Sequence, residues 1–281
     1  MRDPFKIDGP TCISFSGGRT SAYMLWRVLQ ANGGMPSDAV ACFANTGKED
    51  EATLRFVRRC ADEWGVQINW LEFLIDDPGF RVVDFASASR EGEPFSAIIK
   101  KRNFLPNPVA RFCTAELKIQ PEHKFIRAAL GWDEWENMIG IRADEPRRVA
   151  KIRSNPSGGK RGVDRVMPLA VAGVTKADVG AFWRSSSFDL ELPNQNGVTM
   201  HGNCDLCFMK GAHQVFSLIA EKPSRATWWA QQEGSITNSH VINGGRFRSD
   251  RPSYAQMLAY SEQQAQLFEE NDEAVECFCG D

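Results

Sequence analysis

The run Ser16-Gly17-Gly18-Arg19-Thr20-Ser21 gathers the residue types that hold a phosphate. Two glycines let backbone N–H groups approach an anion, and Gly18 is expected to take a positive φ there. Ser16, Thr20 and Ser21 offer hydroxyls, and Arg19 adds a fixed charge. A plain capped turn would use some of these residues, but six in succession favour a nucleotide phosphate site. Neither the GxGxxG dinucleotide pattern nor a lysine-bearing P-loop is present.

Thiols and guanidinium groups form two further sets. Cys12, Cys42 and Cys60 lie in apolar, periodic segments and read as small core residues. Cys113, Cys204, Cys207, Cys277 and Cys279 lie in polar, turn-rich surroundings. Cys204-Asp205-Leu206-Cys207 precedes a helix, so two thiolates can converge on zinc, on an iron–sulfur cluster or in a redox disulfide. Cys113, Cys277 and Cys279 are candidates for further ligands, and His201 could instead complete a zinc site. Arg142, Arg147 and Arg148 suit a polyanion through bidentate contacts.

These residues need elements to position them. Residues 11–15 read as a buried strand, and Ala22, Leu25, Trp26 and Leu29 then resume at helical spacing. A strand running through glycines into a helix N-terminus aims unpaired N–H groups and the positive helix end outward. Residues 39–44 form a second strand, Asn45-Thr46-Gly47-Lys48-Glu49-Asp50 a polar turn, 51–64 a helix and 66–73 a third strand. Successive strand–helix–strand units imply a parallel sheet with right-handed crossovers and ligands beyond the carboxyl ends of the strands. Both polar turns fall there, which brings Asn45, Thr46 and Gly47 to the same pocket as the glycine loop. Thr114 is expected to cap a helix over 114–130, which places Cys113 at a helix N-terminus where a thiolate is favoured. Residues 135–141 form strand four, with the three arginines at its exit, and 166–170 strand five. Residues 153–162 are a linker or a basic lid. Beyond Pro193 the alternation gives way to helices over about 209–221 and 253–270 and an acidic tail.

A chain of 281 residues, 42% hydrophobic and 25% charged, can bury a sizeable core. The expected division is a nucleotide-binding domain over 1–190 and a helical, cysteine-bearing region over 191–281. A net charge of −3 excludes a global basic field for nucleic acid. No apolar run approaches the roughly 20 residues of a membrane helix, and MRDPFKIDGP has no apolar secretory core. No membrane partner and a cytoplasmic location are expected, where thiols stay reduced.

The motifs SGGRTS, ANTGKED, RFCTAELK, GIRADEPRR, MPLAVAGVTKADV and GNCDLC occur in this order over about residues 11 to 210. In combination they resemble the conserved blocks of the phosphoadenosine phosphosulfate (PAPS) reductase family, within the PP-loop superfamily. The resemblance implies an adenine nucleotide α-hydrolase-like (Rossmann-like) fold with a five-stranded parallel sheet. It implies that the glycine loop binds the phosphates of PAPS, adenylyl sulfate (APS) or ATP, with Asn45, Thr46 and Gly47 facing the same pocket. One branch of the family carries a [4Fe–4S] cluster on a cysteine pair and a CxxC. Cys113 matches one member of that pair, while Phe112 occupies the other position. The expected ligands are Cys113, Cys204, Cys207 and one of the tail cysteines Cys277 and Cys279, of which Cys279 is preferred because Gly280 beside it leaves room for a cluster, with zinc as the alternative metal. Cys277 would then be the nucleophile, and thioredoxin or another thiol donor the reductant. The family's Glu-Cys-Gly-Leu-His ending reads Glu276-Cys277-Phe278-Cys279-Gly280-Asp281 here and lacks its histidine. The leading expectation is therefore a sulfonucleotide reductase-like oxidoreductase. The alternative is an ATP-dependent enzyme that adenylates a nucleic-acid or small-molecule substrate for sulfur transfer.

Overall fold

The computed structural model describes residues 2–158, 162–195, 198–202, 204–236 and 245–269. Chain contacts divide it into two compact units, residues 1–102 with 111–205 and residues 103–110 with 206–281. The boundary thus falls after Asp205 rather than near residue 190, and the proline-bearing segment 103–110 belongs to the second unit.

The first unit is built on six strands in the order β4-β3-β2-β1-β5-β6. They are β1 (Thr11–Ser14), β2 (Ala39–Ala44), β3 (Ile68–Phe73), β4 (Phe80–Val83), β5 (Trp135–Ile139) and β6 (Val163–Val166). All neighbours pair in parallel except β3 and β4, which are antiparallel. The sheet therefore has one more strand than the five expected. The extra strand is the short edge Phe80-Arg81-Val82-Val83, half exposed and without a long apolar run. The last strand also begins earlier than expected, because Pro168 lacks an N–H for a ladder and starts the short helix Pro168–Val171.

Successive strand residues face opposite sides of the sheet. Ile13 and Phe15 of the β1 strand and its exit, with Ala41 and Phe43 of β2, pack against helices α1 (Arg19–Asn32) and α2 (Glu51–Trp64). Cys12 and Cys42 face the other side, with Leu71, Phe125, Ile126 and Trp135. There lies a helical rod made of Phe112–Thr114, Ala115–Ile119, Gln120–Phe125 and Ile126–Leu130, whose second and fourth segments are π-helical. Pro121 in its interior removes one ladder donor and accounts for the widened turn before it. Helix α2 is capped by Asp50, whose side chain accepts from the Ala52 N–H, and ends on Gly65 at φ +59°.

The second unit contains helices Ala212–Glu221, Arg225–Gly234 and Tyr254–Glu269. Trp229, Phe247 and Tyr254 are buried together, with ring centroids 5.0–5.7 Å apart. No helix among the described residues is long and apolar enough to cross a membrane.

Candidate functional site

The chain runs from β1 to β2 and β3 on one side, then returns to place β5 and β6 on the other. The strand order therefore reverses at β1, and open parallel sheets take their ligands beyond the carboxyl ends of the strands at such a point, here β1 and β5. The 16–21 loop leaves β1 at that point.

The loop's conformation divides the labour between its glycines. Gly17 takes φ +74°, and a Cβ there would come within 2.7 Å of Thr53 Cγ2 and 3.1 Å of Phe43 Cε2. Gly18 is the N-cap of α1 at φ −107°, ψ 161°, an extended conformation. The expected positive φ thus belongs to Gly17, because the turn is made one residue earlier. A Cβ on Gly18 would meet only Ser16 Oγ, 3.8 Å away, so space lies open above the N-cap. No side chain caps α1 at Gly18, and the first-turn N–H groups of a helix have no intrahelical acceptor. Open space, a bare N-cap and the positive helix end are the features an anion needs at such a place.

Ser21 is buried and folds the loop on itself, accepting from the Ser16 N–H at 3.1 Å and donating to Gly18 O at 3.0 Å. Ser16 is exposed, with its hydroxyl 2.9 Å from Ser21 Oγ. Arg19 departs from expectation. Its guanidinium makes a bidentate pair with Asp189 at 2.6 and 2.8 Å and donates to Leu190 O at 2.7 Å. Those donors are spent inside the protein, so Arg19 ties the start of α1 to the 189–190 segment rather than neutralising a ligand. Trp183 Nε1 adds a bond to Arg19 O at 3.0 Å.

The cation that does meet the loop comes from the exit of β5. Arg142 Nη1 donates to Thr20 Oγ1 at 3.1 Å, and its Nε donates to Asp144 at 2.9 Å. Burial pushes the Asp144 carboxyl up, but the Lys176 N–H and the Arg142 guanidinium outweigh it and hold Asp144 below its ordinary value. Gly140 permits this approach, since a Cβ there would stand 3.2 Å from Ser21 Cα. Arg147 and Arg148 lie exposed on the first turn of the helix Pro146–Arg153, and Arg148 pairs with Glu145. Of the three arginines, Arg142 is the one hydrogen-bonded to the loop.

The Asn45-Thr46-Gly47 turn stands at the carboxyl end of β2, yet its polar side chains are occupied. Asn45 is wholly buried and donates to Glu72 Oε1 at 2.6 Å and to Ser89 O at 2.9 Å. The N–H and hydroxyl of Thr46 each donate to Glu49 at 2.9 Å. Gly47, at φ +77°, packs so closely that a Cβ would touch the Gly92 backbone at 3.0 Å. These three residues shape the rim from within instead of presenting side chains to a ligand. Glu49, which no sequence signal singled out, is the centre of the turn and also faces Lys118 Nζ at 3.7 Å.

Cys204 joins this rim: its Sγ lies 3.5 Å from Thr46 Oγ1, its residue bridges Glu49, and Asp205 pairs with Lys48 at 3.3 Å. Cys113 stands in the first turn of the helical rod. Thr114 does not cap that rod, which already begins at Phe112. Cys207 belongs to the second unit, and Cys277 and Cys279 lie outside the described residues. Among the described residues, no three His, Cys, Asp or Glu side chains are gathered into a group that could hold a metal ion. The expected ligand set thus draws on both units and on a residue outside the described ones. A cavity of about 460 Å³ opens at the opposite, amino end of the sheet, and Asp8, Glu134, Glu136 and Asp164 in its lining disfavour an anion there.

No family model matches the chain. An uncharacterized nin region protein of Escherichia phage lambda, ORF290, is 29% identical over 268 residues, which cover 92% of this chain and 85% of that protein. Similar solved structures include the phosphate complex of the PAPS reductase of Candida auris, 13% identical, TM-score 0.37, covering 63% of this chain and 72% of that one. They also include the U34-tRNA thiolase NcsA of Methanococcus maripaludis with its [4Fe–4S] cluster, 14% identical, TM-score 0.39, covering 94% of this chain and 83% of that one. Neither likeness is close enough to assign an activity; the site's own geometry has to carry one.

Proposed function

We propose that the chain is an adenine-nucleotide-binding enzyme of the PAPS reductase type, holding the anionic end of a sulfonucleotide at the 16–21 loop. The observation that carries this reading is the open cradle above Gly18, formed where the strand order reverses and flanked by Arg142 on Thr20. Backbone N–H groups and the Ser16 hydroxyl would donate to the phosphate or sulfate oxygens, and Arg142 would neutralise part of the charge. The ordered motifs of the sequence supply the adenine nucleotide and the sulfur chemistry of the reading.

In the reaction proposed, the Cys277 thiolate attacks the sulfate sulfur and the bond from sulfur to the bridging oxygen breaks, leaving adenosine phosphate and an S-sulfocysteine. A second thiol, from thioredoxin or another donor, then attacks the cysteine sulfur and releases sulfite, with a disulfide as the oxidised product. Incubation with PAPS, APS or ATP plus a thiol donor tests this directly. Sulfite release from PAPS or APS supports the reading. Pyrophosphate from ATP without sulfite would replace it with ATP-dependent adenylation. Absence of nucleotide binding would remove both.

A further inference from the structure

Beneath the loop, on the face of the sheet turned away from α1, lies a buried polar group that phosphate binding does not use. Glu122 of the helical rod is buried against Ser14 of β1 and Asn137 of β5. Ser14 Oγ lies 3.0 and 2.8 Å from the two Glu122 oxygens and 2.8 Å from Asn137 Oδ1. Asn137 Nδ2 donates to Glu122 Oε1 at 2.8 Å. No cation among the described residues pairs with this carboxyl.

The hydrogens of this cluster can be counted. A serine hydroxyl carries one proton, and neither an ionised carboxylate nor an amide oxygen carries any. If Glu122 were ionised, Ser14 could satisfy Glu122 or Asn137 but not both, and two bare oxygens would face each other at 2.8 Å. Turning the Asn137 amide over only moves the conflict, because its oxygen would then face Glu122 Oε1 at 2.8 Å. One proton on Glu122 resolves either arrangement: Glu122 donates to Ser14, Ser14 to Asn137 Oδ1, and Asn137 Nδ2 back to Glu122. The ring closes only around a neutral acid.

We propose that Glu122 is a neutral carboxylic acid when the 16–21 loop binds its anion, and that its ionisation weakens that binding. This couples the candidate nucleotide site to a proton, and the coupling rests on the nucleotide reading above. Ser14 is two residues before Ser16, a span of about 7 Å in extended chain. A negative charge at Glu122 would oppose an anion seated on the loop, by on the order of tenfold in affinity at that range. Burial pushes the Glu122 carboxyl up to about 7, with the Ser14 and Asn137 bonds drawing it down. The titratable groups acting on it are the Cys12 thiol of β1 and, beside that, the Cys42 thiol of β2, both raised and neutral. The charged groups of the other packed elements are engaged elsewhere. Glu72 of β3 pairs with Arg81 of β4, Glu116 with Arg102 and Lys118 with Glu49. Arg127 lies over the Trp135 ring, His123 stands edge-on to it, and Lys124 lies along Gly79.

Glu122→Gln tests the proposal, because an amide donates to Ser14 as the protonated acid would and cannot ionise. The probe is APS, whose phosphosulfate group carries two negative charges and, unlike a terminal phosphate with its second pKa of about 6, gains or loses no proton between about pH 5.5 and about pH 8.5. Infrared difference spectra of wild type against Glu122→Gln should show a buried carboxylic C=O band that disappears as pH passes about 7. APS affinity should fall on the order of tenfold over that range in the wild type and stay level in the variant. Absence of the band overturns the neutral acid. A band with identical affinity profiles in both proteins overturns the coupling. If neither protein binds APS, PAPS or ATP, the nucleotide reading fails and the coupling with it, while the band still decides the acid. Should the variant not fold, the wild-type band read against pH alone decides the protonation, and the wild-type APS profile decides the coupling.

Discussion

At the scale of single residues, the cradle depends on what is missing at Gly18 and what is supplied by Arg142. Gly18 has an extended backbone and open space around its absent Cβ, so a larger side chain costs the fold little. Gly18→Val should keep the thermal unfolding midpoint within a few degrees yet abolish adenine-nucleotide binding in calorimetry, since the branched side chain fills the anion's place. A folded variant with unchanged affinity would remove the cradle. Arg142→Ala removes a charge-assisted contact available only to a charged ligand. ATP or PAPS should bind roughly tenfold more weakly or worse, while adenosine changes little. Equal weakening of both would mean that Arg142 supports the loop through Thr20 and does not touch ligand.

At the scale of elements, the junction of β1 with α1 is held by packing against α2. Gly17 needs a positive φ and stands where a Cβ would meet Thr53 at 2.7 Å. Gly17→Ala should destabilise the protein by about 2–4 kcal/mol in denaturant unfolding, through left-handed strain and overpacking together. Loss of binding without loss of stability would instead make Gly17 a ligand-facing residue. The two adjacent glycines are thus expected to fail in different assays. The β1–α1 junction, α2 and the parallel crossovers were legible in sequence, because glycine turns, a polar turn ahead of a helix and 3.6-residue periodicity are local signals. β4 and the π-helical turns were not. A four-residue, half-exposed edge strand has no periodicity long enough to read, and of the two widened turns only the first has a local mark, Pro121.

At the scale of the whole molecule, Glu122 links global stability to pH. Its folded value, about 7, lies above its ordinary 4.5, so the folded state holds a proton that the unfolded chain releases. The stability it contributes is fully present below about pH 4.5 and is lost as pH rises to about 7, about 3 kcal/mol in all. Glu122→Gln should flatten that decline in urea unfolding measured across the window. An unchanged slope in the variant would assign the decline to other groups. Asp144 and Glu145, held low by the Arg142 side chain and N–H, act with the opposite sign and weaken the fold at more acid pH.

The sequence by itself determined the parallel strands with their first two helices, the glycine loop at a strand exit and the order of motifs, because each is written in neighbouring residues. It also put Arg142 forward, without separating it from Arg147 and Arg148. Which polar groups remain for a ligand was decided only in three dimensions. Arg19 is taken by Asp189, 170 positions away, and Asn45 by Glu72, 27 positions away. Arg142 meets Thr20 across 122 positions, and Glu122 closes its ring with Ser14 across 108. A side chain's chemistry is local, but its availability depends on the partner that folding brings beside it, and the chain carries no nearby mark of that partner.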